Sequence, residues 1–211
     1  MADNSPSLIP FLGAMTAAQR DGSQDPYPTQ GYHSRQPSRS IYVDFTGWSQ
    51  RPIHITEGGP GGAVIYSIDV TGHNLQMRFY PAGSRALLAS VQASAPNLEA
   101  TIHGRRITMD IKTRLKKEGR FASPSLHNAP LTWKSRSMKV VDFELRDGNA
   151  TPLAQFHPHP SWSRRKAGRL DLFGSSVSTG QLMEEIMVTA FALVHSTSLQ
   201  LDAAAGGPAS P

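Results

Sequence analysis

Residues 178–198 read S-T-G-Q-L-M-E-E-I-M-V-T-A-F-A-L-V-H-S-T-S, and this stretch decides the fold. Ser178 followed three residues later by Gln181 has the spacing of a capping box. Glu184 and Glu185 then fall near the positive end of the helix dipole. From Ile186 to Val194 only Thr189 interrupts an apolar surface that goes all the way round, whereas a surface helix keeps a polar face. Such a helix is buried on every side or lies in a membrane. The uninterrupted part is nine residues long, against the roughly 20 that a span needs. The expectation is a core helix over 180–198.

Upstream, the chain alternates short strands with turns. Expected strands are Ile41–Phe45, Pro52–Thr56, Val64–Val70, His73–Phe79, Ala86–Val91, Leu98–His103, Arg106–Ile111, Leu131–Lys134, Lys139–Leu145, Pro152–Phe156 and Gly168–Phe173. The run Glu57-Gly-Gly-Pro-Gly-Gly62 is a loop, and Asp147-Gly148-Asn149 is a hairpin turn. Leu75, Met77 and Phe79 alternate with polar residues, as do Ile107, Met109 and Ile111; that is the period of half-buried strands. Strands at such spacing without helical crossovers indicate an all-β barrel or sandwich. A barrel wide enough to hold a helix on its axis accommodates the one fully apolar helix, and its closure removes the sheet edges. The expected fold is therefore mainly β, a closed antiparallel barrel around a central hydrophobic C-terminal helix.

The organisation follows from composition. Residues 1–38 are rich in Ser, Pro, Gln and Gly and are expected to form a disordered leader. Residues 39–199 form the barrel domain, and 200–211 a disordered Ala/Gly/Pro tail. The absence of cysteine excludes disulfides, zinc-thiolate sites and cysteine nucleophiles, and favours a reducing compartment. No export signal or transmembrane segment is read, so an intracellular, cytoplasmic location is expected, at most peripheral to a membrane.

The chain's net charge is +5, unevenly spread. Residues 100–170 hold fifteen Lys/Arg and five Asp/Glu, a local +10, while the remainder carries −5. Such a split suits a polyanionic partner; a solvated face is the competing reading. The candidate anionic-lipid site comprises Lys112, Arg114, Lys116, Lys117 and Arg120, with a second cluster of Arg164, Arg165 and Lys166 near Trp162 and Arg169. Lys112, Arg114 and Lys116 project to one side if their strand continues, with Lys117 and Arg120 at the turn. Lysines on exposed strands also block edge pairing, so that reading stands beside the lipid one. Sequence-specific nucleic-acid binding has only charge behind it.

His157-Pro-His159 has a proline between its histidines and no third ligand nearby, so no metal and no cofactor is expected. His195, near the expected helix end, suits the dipole or a local hydrogen bond. No Gly-x-Ser-x-Gly, His-Glu-x-x-His or Gly-x-x-x-x-Gly-Lys occurs, and an enzyme is not expected.

An ordered set of motifs carries a family resemblance: Ile53-His-Ile-Thr56, Pro130-Leu-Thr-Trp-Lys134, Val140–Leu145 with Asp147-Gly148, Leu153-Ala-Gln-Phe156, Lys166-Ala-Gly-Arg-Leu-Asp-Leu172, and the helix ending Ala190-Phe-Ala-Leu-Val194. Over residues 41–198 the chain resembles the fungal proteins related to the Tubby C-terminal, LURP-one and phospholipid scramblase superfamily. The resemblance implies a twelve-stranded barrel around a hydrophobic helix, and a phosphoinositide ligand in the tubby branch. It transfers no binding residue: the Arg-Ser-Asn type sequence that follows the tubby basic pair, and the scramblase calcium segment, have no counterpart here. The functional expectation is a non-catalytic module for anionic phospholipid. The alternative is a protein-interaction scaffold whose partner binds the leader.

Overall fold

The computed structural model describes residues 36–44, 52–71, 76–94, 96–112, 117–137, 141–158 and 167–204. Twelve strands close into one antiparallel barrel: β1 Arg39–Asp44, β2 Ile53–Glu57, β3 Ala63–Thr71, β4 Gln76–Pro81, β5 Ala89–Ser94, β6 Asn97–Ile102, β7 Arg105–Lys112, β8 Glu118–Ser123, β9 Ala129–Ser135, β10 Phe143–Arg146, β11 Pro152–Pro158 and β12 Ala167–Leu172. Each strand pairs with its neighbours in sequence. The barrel closes where β1 meets β12, with Ile41 opposite Leu170 and Val43 opposite Gly168.

Alternation sorts the wall into two faces. Ile41, Ile55, Ile68, Met77, Phe79, Leu131, Trp133, Leu145, Ala154, Leu170 and Leu172 have no exposed surface and point inward. The intervening residues face out. Along one row of the outer wall, cross-strand register places Lys112 opposite Glu118, Glu118 opposite Lys134, and Lys134 opposite Glu144. Opposite charges facing each other across strands favour this register over a slip.

The barrel is filled by the helix α1, Gly180–Ala204. Ile186, Met187, Val188, Phe191 and Leu193 are completely buried, on every side of the helix. Phe191 meets Phe156 edge to face at 6.3 Å, a favoured aromatic geometry. Thr189, the one polar break in the apolar run, is used: its hydroxyl donates to the Glu185 carbonyl at 2.7 Å. It also accepts the indole N–H of Trp133 at 3.1 Å, so the buried tryptophan keeps a hydrogen bond.

Several expectations are corrected. The segment after Lys117 was read as a turn, but Glu118–Ser123 is a strand, and Arg120 lies within it. Gly119 obscures it in sequence. A Cβ there would stand 2.7 Å from Met109 Sδ, so glycine leaves room for the methionine packed across from β7, while Leu193 Cδ2 of the helix would lie at an ordinary 3.6 Å. The strand expected over Ala86–Val91 runs Ala89–Ser94, and that expected over Lys139–Leu145 is confined to Phe143–Arg146 among the described residues. Ser178 does not cap the helix. It closes a 3-10 turn over Ser175–Val177 and donates to the Gly174 carbonyl at 2.7 Å. The helix continues past Ser198 to Ala204, which leaves His195 away from its terminus, buried in the core at 1 % exposure. The leader up to residue 35 and the tail from 205 lie outside the described residues.

Candidate functional site

Up-and-down topology gives the barrel two chemically different ends. At the entry end the chain passes from β12 into α1; at the other, the exit end, α1 finishes. The connections β1–β2, β3–β4, β5–β6, β7–β8, β9–β10 and β11–β12 are all bounded by strand ends at the exit end.

Polar groups of the entry end are spent on holding the helix. Glu184 accepts from the Tyr66 hydroxyl at 3.0 Å and faces His103 Nε2 at 2.5 Å. Burial first, and then the Glu184 charge, raise the Tyr66 hydroxyl to about 12. Glu185, 3 % exposed, takes the Ser123 hydroxyl at 2.5 Å, the Ser125 hydroxyl at 2.6 Å and the Ser125 N–H at 3.1 Å. Arg39 grips both oxygens of Glu57 at 2.8 and 3.0 Å and donates to the Ser178 carbonyl at 3.0 Å. The two glutamates expected to serve the helix dipole thus fasten the helix to β3, the β6–β7 turn and the β8–β9 connection. A concavity of about 590 Å³ beside them is lined by Arg105, Ser125, His127 and Gln181 among others, and carries little charge.

The exit end is different. The connections β7–β8 (113–117), β9–β10 (136–142) and β11–β12 (159–166) contain eight Lys/Arg and one Asp/Glu, Asp142, and Lys112 and Lys134 lie at or near the strand ends that bound the first two. The six strands these connections join are consecutive around the wall. At roughly 4.8 Å per strand, the five intervals span an arc of about 24 Å. Lys112 is the last residue of β7 and is exposed; Lys134 is exposed near the end of β9. Neither makes an ion pair within 4 Å among the described residues. Lys117 is half-buried and donates to Gln200 Oε1 at 2.6 Å, which ties the start of β8 to the last turn of the helix. Burial lowers its ammonium to about 8.

A cleft of about 450 Å³ opens on this side of the wall, lined by Lys117, Lys134, Arg136 and Arg146 together with Glu118, Asp142 and Glu144. Arg136 stands 3.9 Å from Asp142, and Arg146 pairs with Glu144. Burial pushes the Asp142 carboxyl up, against the opposing pull of Arg136 and His157.

Of the residues singled out from sequence, Lys112 and Lys117 sit at the exit end. Arg120 faces out from β8 and is paired with Glu118 at 2.7 Å, so it is not the turn residue expected. Arg114, Lys116, Arg164, Arg165 and Lys166 lie outside the described residues, as do His159 and Trp162. The described strand ends that bound their segments share one end of the barrel. Lys134 and Arg136 were missed, although the outward position of Lys134 follows from its alternation with buried Trp133.

His157 stands 3.2 Å from Asp171, which also takes the Ser40 hydroxyl at 2.5 Å and Arg169 Nε at 3.1 Å. Burial drives the Asp171 carboxyl up, but the His157 and Ser40 hydrogen bonds and the Arg169 charge outweigh it and hold it below the usual carboxylate range. The cluster joins β1, β11 and β12, the seam at which the barrel closes. In it Asp171, not His157, is the residue bonded to the serine, so the set lacks the serine-to-histidine contact that would activate a nucleophile. Among the described residues no group of three or more His, Asp or Glu side chains is placed to hold a metal ion, and no helix is long and apolar enough to cross a membrane. Comparison of the chain with protein-family models, with curated proteins and with solved structures finds no match.

Proposed function

We propose that this chain is a non-catalytic, tubby-like barrel that attaches to anionic phospholipid, phosphoinositide included, through the basic exit end. One observation carries the reading. Three successive connections at that end, residues 113–117, 136–142 and 159–166, hold eight Lys/Arg against one Asp/Glu, Asp142, with Lys112 and Lys134 at or near the strand ends beside them, whereas the entry-end glutamates Glu184 and Glu185 are engaged in holding the helix. Near an anionic leaflet each such cation contributes about 1 kcal/mol, and the attraction weakens with salt. The barrel serves as a rigid mount: the helix is locked at Glu184, Glu185 and Thr189 and does not compete for the surface.

Liposome co-sedimentation tests this. Neutral phosphatidylcholine vesicles are compared with vesicles containing phosphatidylglycerol or phosphoinositide, at low and high salt. Wild type is compared with the Lys112→Ala/Arg114→Ala/Lys116→Ala/Lys117→Ala variant. Binding to anionic vesicles alone, weakened by salt and lost in the variant, is expected. No binding to any vesicle at low salt refutes the proposal and turns attention to a protein partner on the leader.

A further inference from the structure

The helix outlasts the barrel that holds it. At about 1.5 Å per residue its 25 residues measure roughly 37 Å. It is buried without a break from Glu185 as far as His195; Ser196 and Thr197 are half-buried and Ser198 is 3 % exposed, then Leu199 is 37 % exposed and Gln200 and Ala204 are exposed, while Leu201 still packs partly against the core. Three large hydrophobic residues are exposed among those described: Leu199, Val64 and Leu87. Val64 and Leu87 stand at the entry end, where no surplus of cations accompanies them. Leu199 stands at the exit end.

The carbonyls of a helix C-terminus carry partial negative charge, which by itself would be repelled from an anionic surface. Here the Lys117 ammonium, bonded to Gln200 at 2.6 Å, stands about one turn before that terminus and partly offsets it. Lys112 and Lys134 stand near strand ends of the same barrel end, on the outer wall with Glu118 and Glu144 as their cross-strand neighbours, so this end presents both an apolar side chain and cations. That is the arrangement of a surface that places charge at the headgroups and one apolar group beneath them.

Resting on the lipid-binding reading above, we propose that the last two turns of α1, with Leu199 on their exposed side, enter the headgroup layer of an anionic bilayer, so that the barrel docks end-on. The rival geometry is side-on docking, with the cleft wall of β8–β10 against the lipid and the helix tip in water. The two differ in which residues leave water.

The chain has no cysteine, so single labelling sites are clean. Ala204→Cys at the helix tip and Ala82→Cys at the entry end each take an environment-sensitive fluorophore. Each is then mixed with phosphatidylglycerol/phosphatidylcholine vesicles, with and without lipid-borne quencher. The label at position 204 is expected to shift to the blue and to be quenched, while the label at 82 does not change. Sedimentation of the labelled protein with the vesicles while the label at 204 keeps its solvent spectrum overturns end-on docking and leaves lipid binding standing. Failure to sediment with any vesicle overturns both. Leu199→Ser, which leaves the charge unaltered, supplies a second readout: vesicle affinity is expected to fall roughly tenfold, with unchanged salt dependence and thermal melting. Unchanged affinity overturns the role of Leu199.

Discussion

Phe191 is the sharpest probe of how the helix is held. It is fully buried on the barrel axis and meets Phe156 edge to face at 6.3 Å. Phe191→Ala removes a whole ring from a site whose walls are strands of a closed sheet. Those walls cannot collapse inward without breaking the hydrogen bonds of the sheet, so the cavity persists. Phenylalanine-to-alanine changes in such cores cost about 3–5 kcal/mol, and loss of the aromatic pair places this one toward the upper half of that range. For a domain of this size each kcal/mol lowers Tm by about 2–4 °C, so the expected drop is about 10–20 °C. Urea unfolding followed by circular dichroism measures the free energy, with Leu87→Ala, 55 % exposed, as a control expected within about 0.5 kcal/mol of wild type. A loss below about 1 kcal/mol for Phe191→Ala would refute the claim that the helix is the core of the barrel.

Other consequences follow from particular groups. Asp171→Asn removes the charge that Arg169, His157 and Ser40 converge upon at the barrel seam. A destabilisation of about 3–5 kcal/mol at pH 7 is expected in urea unfolding. Because the folded carboxyl lies below its unfolded value near 3.9, this contribution is present above pH about 4 and is lost as pH falls through the folded value. The wild-type advantage over Asp171→Asn should therefore shrink in acid; an advantage constant down to pH about 2 would show that the charge is not what stabilises the seam. Lys117, with its ammonium near 8, loses charge between pH 7 and 9, well before an ordinary lysine. Binding to phosphatidylglycerol vesicles should weaken over that interval, and the Lys117→Arg variant should remove the dependence. A pH profile identical in the two proteins would place Lys117 outside the binding surface.

How much of this was legible in the sequence depended on the range of the interactions. The helix announced itself because its apolar run is continuous, and a helix buried all round needs a container, which short alternating strands provide. Glu118–Ser123 was not legible: Gly119 and the lysine run before it read as a turn, and the reason for the glycine, the nearness of the Met109 side chain, exists only after folding. The helix was expected to stop at Ser198 and the tail to begin at residue 200, whereas it runs on to Ala204, with Leu201 still packed partly against the core. The roles of Glu184 and Glu185 were misjudged for the same reason. Their partners Tyr66, His103, Ser123 and Ser125 are distant in sequence, and so local dipole arguments stood in for tertiary bonds. Of the basic surface, the two clusters were visible as charge, but that strand ends at a single barrel end bound both segments required the strand order.

The central functional claim is that one end of the barrel, not net charge alone, meets the anionic surface. Two variants of equal charge test it: Lys112→Ala/Lys117→Ala at the exit end and Arg85→Ala/Arg105→Ala at the entry end, Arg85 lying within the β4–β5 connection and the other three at or beside strand ends. The decisive measurement is their partition onto phosphatidylglycerol-containing vesicles at low salt. At about 1 kcal/mol per cation the exit-end variant should bind roughly 30-fold more weakly than wild type, while the entry-end variant stays within about twofold. Equal losses in the two variants, or a larger loss at the entry end, would contradict the account.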